Sequence, residues 1–516
     1  MKNFVFLYAG KDNDCTFDRV FSNESAFARS LKWASAMSDC AGIAVFASKR
    51  NEEKVKEEIV SSALTNVGII SKEKWQCADI IGEMARKMSE SKAVNAVYTS
   101  ADRPFLDSGL TADILECHEK YIAEYTFAEG YPYGFAPEVI HSGTLSILLS
   151  LINEKFQEEG HAEINSECIF NLLKKDINSF EVEAVLAPKD YRMLRLDFSC
   201  GSKRNALACK RLFEKALENN VPMNARSLSD LAEESAEIQQ TLPAFYNVQV
   251  SSRYNSNPVY LPHGKTGDVD MSLDKFSQLV SRIAEFSDDC VVGLSAFGEP
   301  LLIDNICTYV EEVLKHEKLS VLIETDGVLV TKELAEKLSS LSNSRIIWIV
   351  SIDAASSVMY SKIIGNGSFE KAVASISILE PLFPGNVYPQ FTRMNDNEDE
   401  LEAFYRYWHD SSSPSKGKLI VQKYDDCCKT LPSRKPADLS PLERNVCWHL
   451  KRDMTILANG DVPLCRQFAF ASSIGNVFEE DLEKIWSKTL ATVEKHLKGD
   501  YGEKCRDCDE YYTFNF

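Results

Sequence analysis

The sequence predicts an α/β protein with three parts: an N-terminal domain with a parallel or mixed sheet, a partial βα barrel and a small cysteine-rich C-terminal domain. The chain has 516 residues, and at about 150 residues per domain this length corresponds to roughly three domains. Two series of short β-branched and aromatic runs alternate with helical patterns, which is typical of parallel sheets with crossover helices. Six of the 15 cysteines lie after residue 426.

Composition and charge exclude several classes of protein. Hydrophobic residues make up 44% and charged residues 26% of the chain, which are ordinary globular values. The formal net charge of −20 disfavours nucleic acids and anionic lipids as partners. The apolar runs are far shorter than the about 20 residues that cross a bilayer. These short runs predict no membrane span. Because Lys11 and Asp12 follow the first apolar run at once, we expect a buried strand there and not a secretory signal. Without such a signal, we expect a cytoplasmic protein whose cysteines are reduced.

The first alternating series gives the N-terminal sheet. Its strands are predicted at residues 4–8, 42–47, 66–70 and 93–98. In a parallel sheet with crossover helices, ligands bind at the loops that follow the carboxyl ends of the strands. The loops at 8–12 and 100–105 are therefore the candidate ligand-binding loops of this domain.

The second of these loops carries the sequence Ala101-Asp102-Arg103-Pro104. Together with the segments 123–126 and 130–134, it resembles the nucleotidyltransferase-like (GT-A) sheet of sugar cytidylyltransferases and molybdenum-cofactor guanylyltransferases, over about residues 3–220. The resemblance implies that Asp102 holds a divalent cation against nucleotide phosphates, as a hard oxygen ligand should. In the alternative interpretation, Asp102 binds no metal and is a turn carboxylate before Pro104. The first loop departs from the family, because two carboxylates stand where a glycine-rich basic loop would hold a polyanion.

A Ser- and Glu-rich stretch at 221–245 is predicted to link this domain to a second βα series at 246–425. The second series is expected to form a partial βα barrel. Its strands are predicted at 291–295, 320–324, 346–352, 387–393 and 419–422, and its helices around 303–316, 332–341, 369–379 and 397–409.

Three strand ends of the barrel, at 295–302, 324–327 and 351–354, carry recognisable turns, and with them the second series resembles the radical S-adenosylmethionine core. Gly298-Glu299-Pro300 looks like the family's Gly-Gly-Glu-Pro turn, with Phe297 in place of one glycine. The segment 351–354, with Ser351 and Asp353, looks like its Ser-Leu-Asp-Ala. The resemblance implies that S-adenosylmethionine contacts five of these residues: Gly298, Glu299, Pro300, Ser351 and Asp353. In the alternative reading, the barrel is a scaffold and its acids, Glu299 and Asp353, only cap turns.

The cluster loop of that family is altered in this chain. Three thiolates at the spacing C-x3-C-x2-C would hold a [4Fe-4S] cluster with one iron open to S-adenosylmethionine. The three positions fall on Tyr254, Pro258 and Leu261. Proline and leucine carry no ligand atom, and a phenol is a poor substitute for thiolate. The sequence therefore predicts that reductive cleavage of S-adenosylmethionine does not occur.

The tail, residues 426–516, keeps a regular set of cysteines. Seventeen residues separate Cys447 from Cys465, 39 separate Cys465 from Cys505, and two separate Cys505 from Cys508. The apolar alternation around Asn459-Gly460 predicts a hairpin between the first two. Four thiolates form a soft site for a [4Fe-4S] cluster or for zinc. The tail resembles the SPASM domain of radical SAM proteins, as in spirochaete proteins with a SPASM tail, and this resemblance favours one [4Fe-4S] cluster.

Three functional hypotheses follow. In the first, the chain is an iron-sulfur protein of the radical SAM/SPASM family that does not cleave S-adenosylmethionine and acts in binding or as a scaffold, with a protein or a nucleotide-type ligand as partner. In the second, Asp102 and a divalent cation serve a nucleotide- or nucleotide-sugar-dependent transferase. In the third, a radical enzyme borrows a cluster from another chain. For the second hypothesis, further contacts are predicted from Asp190, Arg192, Arg195 and Asp197.

Overall fold

The computed structural model describes residues 2–11, 14–162, 164–165, 167–262, 267–437 and 444–512. The chain divides into two compact units, residues 1–239 and 240–516. The boundary falls inside the predicted linker, which contains two helices, at Ala225–Glu233 and Ala236–Gln239. The predicted barrel and the cysteine-rich tail belong to the same unit.

The first unit contains a seven-stranded mixed sheet flanked by helices. Its strands are β1 (Asn3–Ala9), β2 (Cys40–Ser48), β3 (Val67–Lys72), β4 (Asn95–Ser100), β5 (Tyr125–Glu129), β6 (Glu138–His141) and β7 (Val182–Leu186). Its helices are α1 (Ala26–Ser35), α2 (Glu52–Ser61), α3 (Cys77–Ser91), α4 (Ser108–Lys120), α5 (Ser142–Glu154), α6 (Gln157–Gly160), α7 (Cys168–Lys174), α8 (Lys203–Glu218), α9 (Ala225–Glu233) and α10 (Ala236–Gln239).

The strand order of this sheet is β3-β2-β1-β4-β6-β5-β7. All seven residues of β1 are buried, as expected for a central parallel strand that is covered on both faces. Val5 and Leu7 pack into one hydrophobic core, and Phe6 and Tyr8 pack into the other. Because β1 pairs in parallel with β4, the loops after these two strands lie side by side. The predicted mixed sheet is confirmed.

The second unit contains a seven-stranded parallel sheet with its own helices. Its strands are β8 (Phe245–Val248), β9 (Cys290–Leu294), β10 (Leu319–Thr325), β11 (Ile346–Ser351), β12 (Val387–Arg393), β13 (Ile420–Lys423) and β14 (Asp453–Ile456), and a separate pair is formed by β15 (Asp461–Pro463) and β16 (Ser473–Asn476). Its helices are α11 (Leu273–Ser287), α12 (Ile306–Leu314), α13 (Lys332–Leu341), α14 (Ser357–Ile364), α15 (Phe369–Leu379), α16 (Leu401–His409), α17 (Trp448–Arg452), α18 (Leu482–Leu497) and α19 (Gly502–Arg506).

This sheet has the order β13-β12-β11-β10-β9-β8-β14, and it curls into the predicted partial barrel. Local sequence sets the helix ends. Thr331 caps α13 by accepting a hydrogen bond from the Leu334 N–H, and Ser368 caps α15 by accepting one from the Lys371 N–H. A side-chain acceptor at this position satisfies an amide that lacks a partner within the helix.

The predicted hairpin in the tail is wrong in its pairing, although its turn forms. The Gly460 N–H donates to the Leu457 carbonyl over 2.8 Å, and Gly460 has a φ of 92°. However, β14 pairs in parallel with β8, and β15 pairs in antiparallel fashion with β16. The reason is burial, because Met454 and Ile456 of β14 belong to the barrel core. The tail therefore supplies the seventh strand of the barrel sheet.

Within the described segments, no helix is long and apolar enough to cross a membrane.

Candidate functional site

A cavity of about 450 Å³ opens on the inner face of the barrel sheet. Alternate residues of six strands line it, since neighbouring residues of a strand point to opposite faces. These pairs are Phe245 and Asn247, Leu322 and Glu324, Ile349 and Ser351, Gln390 and Thr392, Ile420 and Gln422, and Asp453 and Thr455. In four of the six strands an apolar residue precedes a polar one. The cavity is therefore apolar at depth and polar towards the carboxyl ends of the strands, where barrel folds bind their ligands.

The altered cluster loop forms part of the cavity wall. Tyr254, Pro258 and Leu261 all line the cavity, so the three positions of the family's cysteines converge on one space. Burial raises the pKa of the Tyr254 phenol above its ordinary range, which keeps this side chain neutral. The wall at this point offers two apolar side chains and a neutral phenol.

Gly298 brings the predicted glycine turn against the altered loop. A Cβ atom on Gly298 would lie 1.8 Å from the carbonyl oxygen of Ser251. The two segments are joined by a hydrogen bond of 2.8 Å from the Glu299 N–H to the Arg253 carbonyl. Phe297, in place of the family's first glycine, has a φ of 42°. The close approach explains why a glycine is needed at position 298.

Glu299 lines the cavity, but protein donors occupy its carboxyl group. The Leu301 N–H and the Thr325 hydroxyl donate to Oε1 over 3.0 and 2.8 Å, and the Asp326 N–H donates to Oε2 over 2.9 Å. Burial, followed by the charge of Asp326, raises the pKa of Glu299 to about 8. Pro300 is buried and begins the short helical turn that Glu299 caps. This arrangement agrees with the reading of Glu299 as a capping acid.

Ser351 and Asp353 have different environments. Ser351 lines the cavity. Asp353 is fully buried and accepts hydrogen bonds from the Tyr260 hydroxyl, over 2.6 Å, and from the Thr392 N–H. Burial raises the pKa of Asp353 to about 6. These contacts tie Asp353 into the turn that follows β11.

Two cavity residues from the tail were missed as ligand-binding candidates. His449 lines the cavity, and its Nδ1 lies 2.6 Å from Oδ2 of Asp453. Arg466 also lines the cavity, with its Cζ 5.1 Å from the centre of the Phe297 ring. The position of Arg466 directly after a predicted cysteine ligand was the only sequence signal that could have placed it near a site.

The structure brings the four predicted cysteine ligands into one region of the tail. Cys447 directly precedes α17, and Cys465 directly precedes a short helical turn at Arg466–Phe468, between β15 and β16. The Cys508 N–H donates to the Cys505 carbonyl over 3.2 Å, which closes the Cys-x-x-Cys turn. Burial, followed by the charges of Cys447, Cys508, Cys428 and Cys505, raises the pKa of Cys465 well above its ordinary range. Cys428 is thus a fifth thiol near the quartet.

The thiols do not form a closed ligand set. Among the residues that the structure describes, no group of three or more His, Cys, Asp and Glu side chains could hold a metal ion as placed. Their chemistry nevertheless fits a soft cation or a cluster, because a bound positive charge would stabilise thiolates that burial and the neighbouring thiols now disfavour. The assignment of Cys447, Cys465, Cys505 and Cys508 as ligands stays a prediction.

In the first unit, the buried Asp102 lies beside a second, half-buried carboxylate, that of Asp197. Asp102 is 4% exposed, and its Oδ1 has no hydrogen-bond partner within the described residues. A Cβ atom on Gly201 would lie 3.1 Å from Oδ2 of Asp102 and 3.8 Å from Nζ of Lys11. Burial, followed by the charge of Asp102, raises the pKa of Asp197 to about 6. Asp102, Asp197 and Lys11 therefore meet after β1 and β4.

The other residues predicted to assist Asp102 are placed differently. Asp190 and Arg192 form an exposed ion pair of 2.7 Å with each other. Arg195 follows a helical turn and has a φ of 52°, so it does not lie in a β-strand with Asp197. Asp12 and Asn13 of the first loop lie outside the described residues.

A comparison with known sequences identifies a related protein that aligns with most of the chain. An uncharacterized protein of Treponema pallidum (strain Nichols) is 39% identical over 365 residues, which cover 67% of this chain and 98% of that protein. The chain belongs to the same family as this Treponema pallidum protein.

Other comparisons describe parts of this family member. Residues 447–509 match the family model of the SPASM domain, described as an iron-sulfur cluster-binding domain. The crystal structure of BtrN in complex with AdoMet and 2-DOIA aligns with a TM-score of 0.35 and 18% identity, over 52% of this chain and 94% of that chain. A cytidylyltransferase from Leptospira borgpetersenii aligns with a TM-score of 0.37 and 12% identity, over 46% of this chain and 95% of that chain.

Proposed function

We propose that this chain is an iron-sulfur protein that binds one [4Fe-4S] cluster through Cys447, Cys465, Cys505 and Cys508. It also binds a small ligand in the barrel cavity without cleaving S-adenosylmethionine. The observation that carries the proposal is that all four thiols lie in the segment, residues 447–509, that matches an iron-sulfur cluster-binding domain. When bound, the cluster would supply positive charge to the thiolates and a site that stores an electron.

The binding role without cleavage rests on the cavity wall. Tyr254, Pro258 and Leu261 offer no thiolate at the place where the family's first cluster would be held. Without a low-potential cluster next to the sulfonium, S-adenosylmethionine cannot receive an electron. Glu299 offers a ligand little acceptor capacity, because three protein groups already donate hydrogen bonds to its carboxyl group. The cavity remains large enough for a small organic molecule.

Metal analysis after anaerobic purification tests this proposal. We expect about four irons and four sulfides per chain, little zinc, and loss of most of the iron in Cys505→Ser. Cys307→Ser on α12 is the matched control, since Cys307 is a free thiol outside the quartet, and it should keep the parent's iron. The iron-loaded protein should produce no 5′-deoxyadenosine when given reductant and S-adenosylmethionine. Zinc in place of iron, or clear turnover, would contradict the proposal, and turnover would favour a borrowed cluster.

A second candidate function is a nucleotide-dependent transferase in the first unit. It is favoured by the unpartnered Oδ1 of the buried Asp102 beside Asp197, since two neighbouring carboxylates with an open oxygen suit a hard divalent cation. Asp102 would then hold the cation, and Lys11 would contact a phosphate.

This second function predicts a thermal shift that depends on Asp102. Magnesium with CTP should raise the melting temperature of the first unit in the parent. Asp102→Asn should abolish the shift while leaving the ligand-free protein folded, because it removes repulsion with Asp197. Asp190→Asn is the control, since Asp190 is exposed and paired with Arg192. The absence of a shift with CTP, GTP, ATP and UTP would exclude this function.

A further inference from the structure

Arg466 presents an unused set of hydrogen-bond donors to the barrel cavity. A guanidinium group carries five N–H donors. None of the described residues accepts a hydrogen bond from the Arg466 side chain, and its Nε is shielded from solvent without a partner. The ring of Phe297 covers one side of the group at 5.1 Å. Because unpaired buried donors cost free energy, this arrangement is suited to an acceptor that is brought by a ligand.

The other cations of the cavity wall are already paired. Lys423 lies 2.8 Å from Asp509, and His449 lies 2.6 Å from Asp453. Arg466 also lines the cavity, but among the described residues no carboxylate forms an ion pair with it. The cavity therefore offers a ligand one positive charge.

The acids nearest to Arg466 do not take up its donors. Oδ2 of Asp425 accepts from the Gln467 side chain over 2.7 Å, and Oδ1 accepts from the Cys427 N–H over 2.8 Å. Oε1 of Glu324 accepts from the Gln390 side chain over 3.3 Å. These contacts use acceptor oxygens of Asp425 and Glu324 for other donors, and none of them involves the Arg466 guanidinium.

The charge and the shape of the wall indicate what this acceptor is. A carboxylate has one negative charge and two oxygens that match the guanidinium fork. Either anion meets Glu324, Asp326 and Asp425 in the same wall, but a phosphate dianion carries twice the charge of a carboxylate and is repelled about twice as strongly. At depth, Phe245, Leu322 and Ile349 form an apolar floor, which favours a ligand with an apolar body.

We propose that the barrel cavity binds a small organic monocarboxylate, whose carboxylate accepts hydrogen bonds from Arg466 and whose apolar body lies on Phe245, Leu322 and Ile349. The inference rests on the proposed function in one respect, namely that the cavity binds a ligand. It goes further by naming the class of ligand and the anchoring side chain.

Three small probes of similar shape test the proposal on the full, iron-loaded chain: benzoate, benzamide and phenyl phosphate. Isothermal titration calorimetry of the parent should show benzoate binding at least about tenfold more tightly than the other two, since a charge-assisted pair contributes a factor of this size. Arg466→Gln should weaken benzoate binding at least about tenfold, and Arg466→Lys should weaken it less, because charge remains while the fork is lost.

The controls separate this proposal from the proposed function. Arg406→Gln on α16 removes an exposed arginine that is paired with Glu402, and it should bind benzoate as the parent does. Iron content is measured in every sample, so that loss of the cluster is distinguished from loss of the anchor. Equal binding of benzamide, preference for phenyl phosphate, unchanged binding in Arg466→Gln, or no benzoate binding by an iron-loaded parent would each overturn the monocarboxylate assignment.

Discussion

Gly298→Ala should lower the free energy of unfolding of residues 240–516 by about 3 kcal/mol or more. The added Cβ would lie 1.8 Å from the Ser251 carbonyl oxygen and 3.2 Å from the Ser252 Cα. Both are backbone atoms, so the clash cannot be relieved by a side-chain rotation. The turn would have to leave the altered cluster loop, and the bond from the Glu299 N–H to the Arg253 carbonyl would be lost. Urea unfolding followed by circular dichroism measures the change.

A matched glycine distinguishes this clash from a general effect of alanine. Gly499 lies in the same unit, has a φ of 73° and would place a Cβ with no atom within 4 Å. Gly499→Ala should cost only about 1 kcal/mol, the usual strain of a left-handed backbone. If Gly298→Ala unfolds at the same urea concentration as Gly499→Ala, the close approach of the turn to the loop is not what stabilises this part of the barrel.

Local pattern was sufficient for most of the barrel elements. The helices predicted at 332–341 and 369–379 and the strand predicted at 387–393 have those bounds in the structure. In these segments an apolar period and a capping Thr or Ser act together within a few residues. The role of β14 was not predictable in this way, because its parallel partner β8 is more than 200 residues away. A turn signal such as Asn459-Gly460 specifies the turn but not the strands that will pair.

In the candidate sites too, the sequence identifies residues that belong to a local motif and misses contacts that form only on folding. The spacing of the cysteines identified the four candidate ligands in the tail. The turn motifs identified Glu299 and Ser351, because each of these residues lies in a short contiguous motif. Arg466 and the pair of Asp102 with Asp197 depend on residues that meet only in the folded chain. A sequence pattern cannot show that the guanidinium group of Arg466 lacks a hydrogen-bond acceptor in the folded protein. The environment of a titrating group is also set by folding, as the raised pKa of Glu299 shows.

The stability of residues 240–516 should fall as the pH rises from about 5 to about 8, and Glu299 should be a major cause. Its pKa is raised from about 4.5 to about 8 by burial and by the charge of Asp326. The folded state therefore keeps a proton that the unfolded state has already lost. Its contribution is fully present below the unfolded pKa and is lost as the pH approaches the folded pKa. The slope for one proton is about 1.4 kcal/mol for each pH unit between the two pKa values.

Glu299→Gln isolates this contribution, since the amide cannot titrate. The variant should be less stable than the parent at pH 5, because its amide N–H₂ would face the Asp326 N–H that now donates to Oε2. The slope of its free energy of unfolding between pH 5 and pH 8 should be shallower by about one proton. Asp353 and Asp425, whose pKa values burial raises to about 6, would account for the slope that remains. Glu336→Gln, which removes an exposed carboxylate on α13, should keep the parent's slope, and an equally steep slope in Glu299→Gln would show that this carboxyl is ionised in the folded protein at neutral pH.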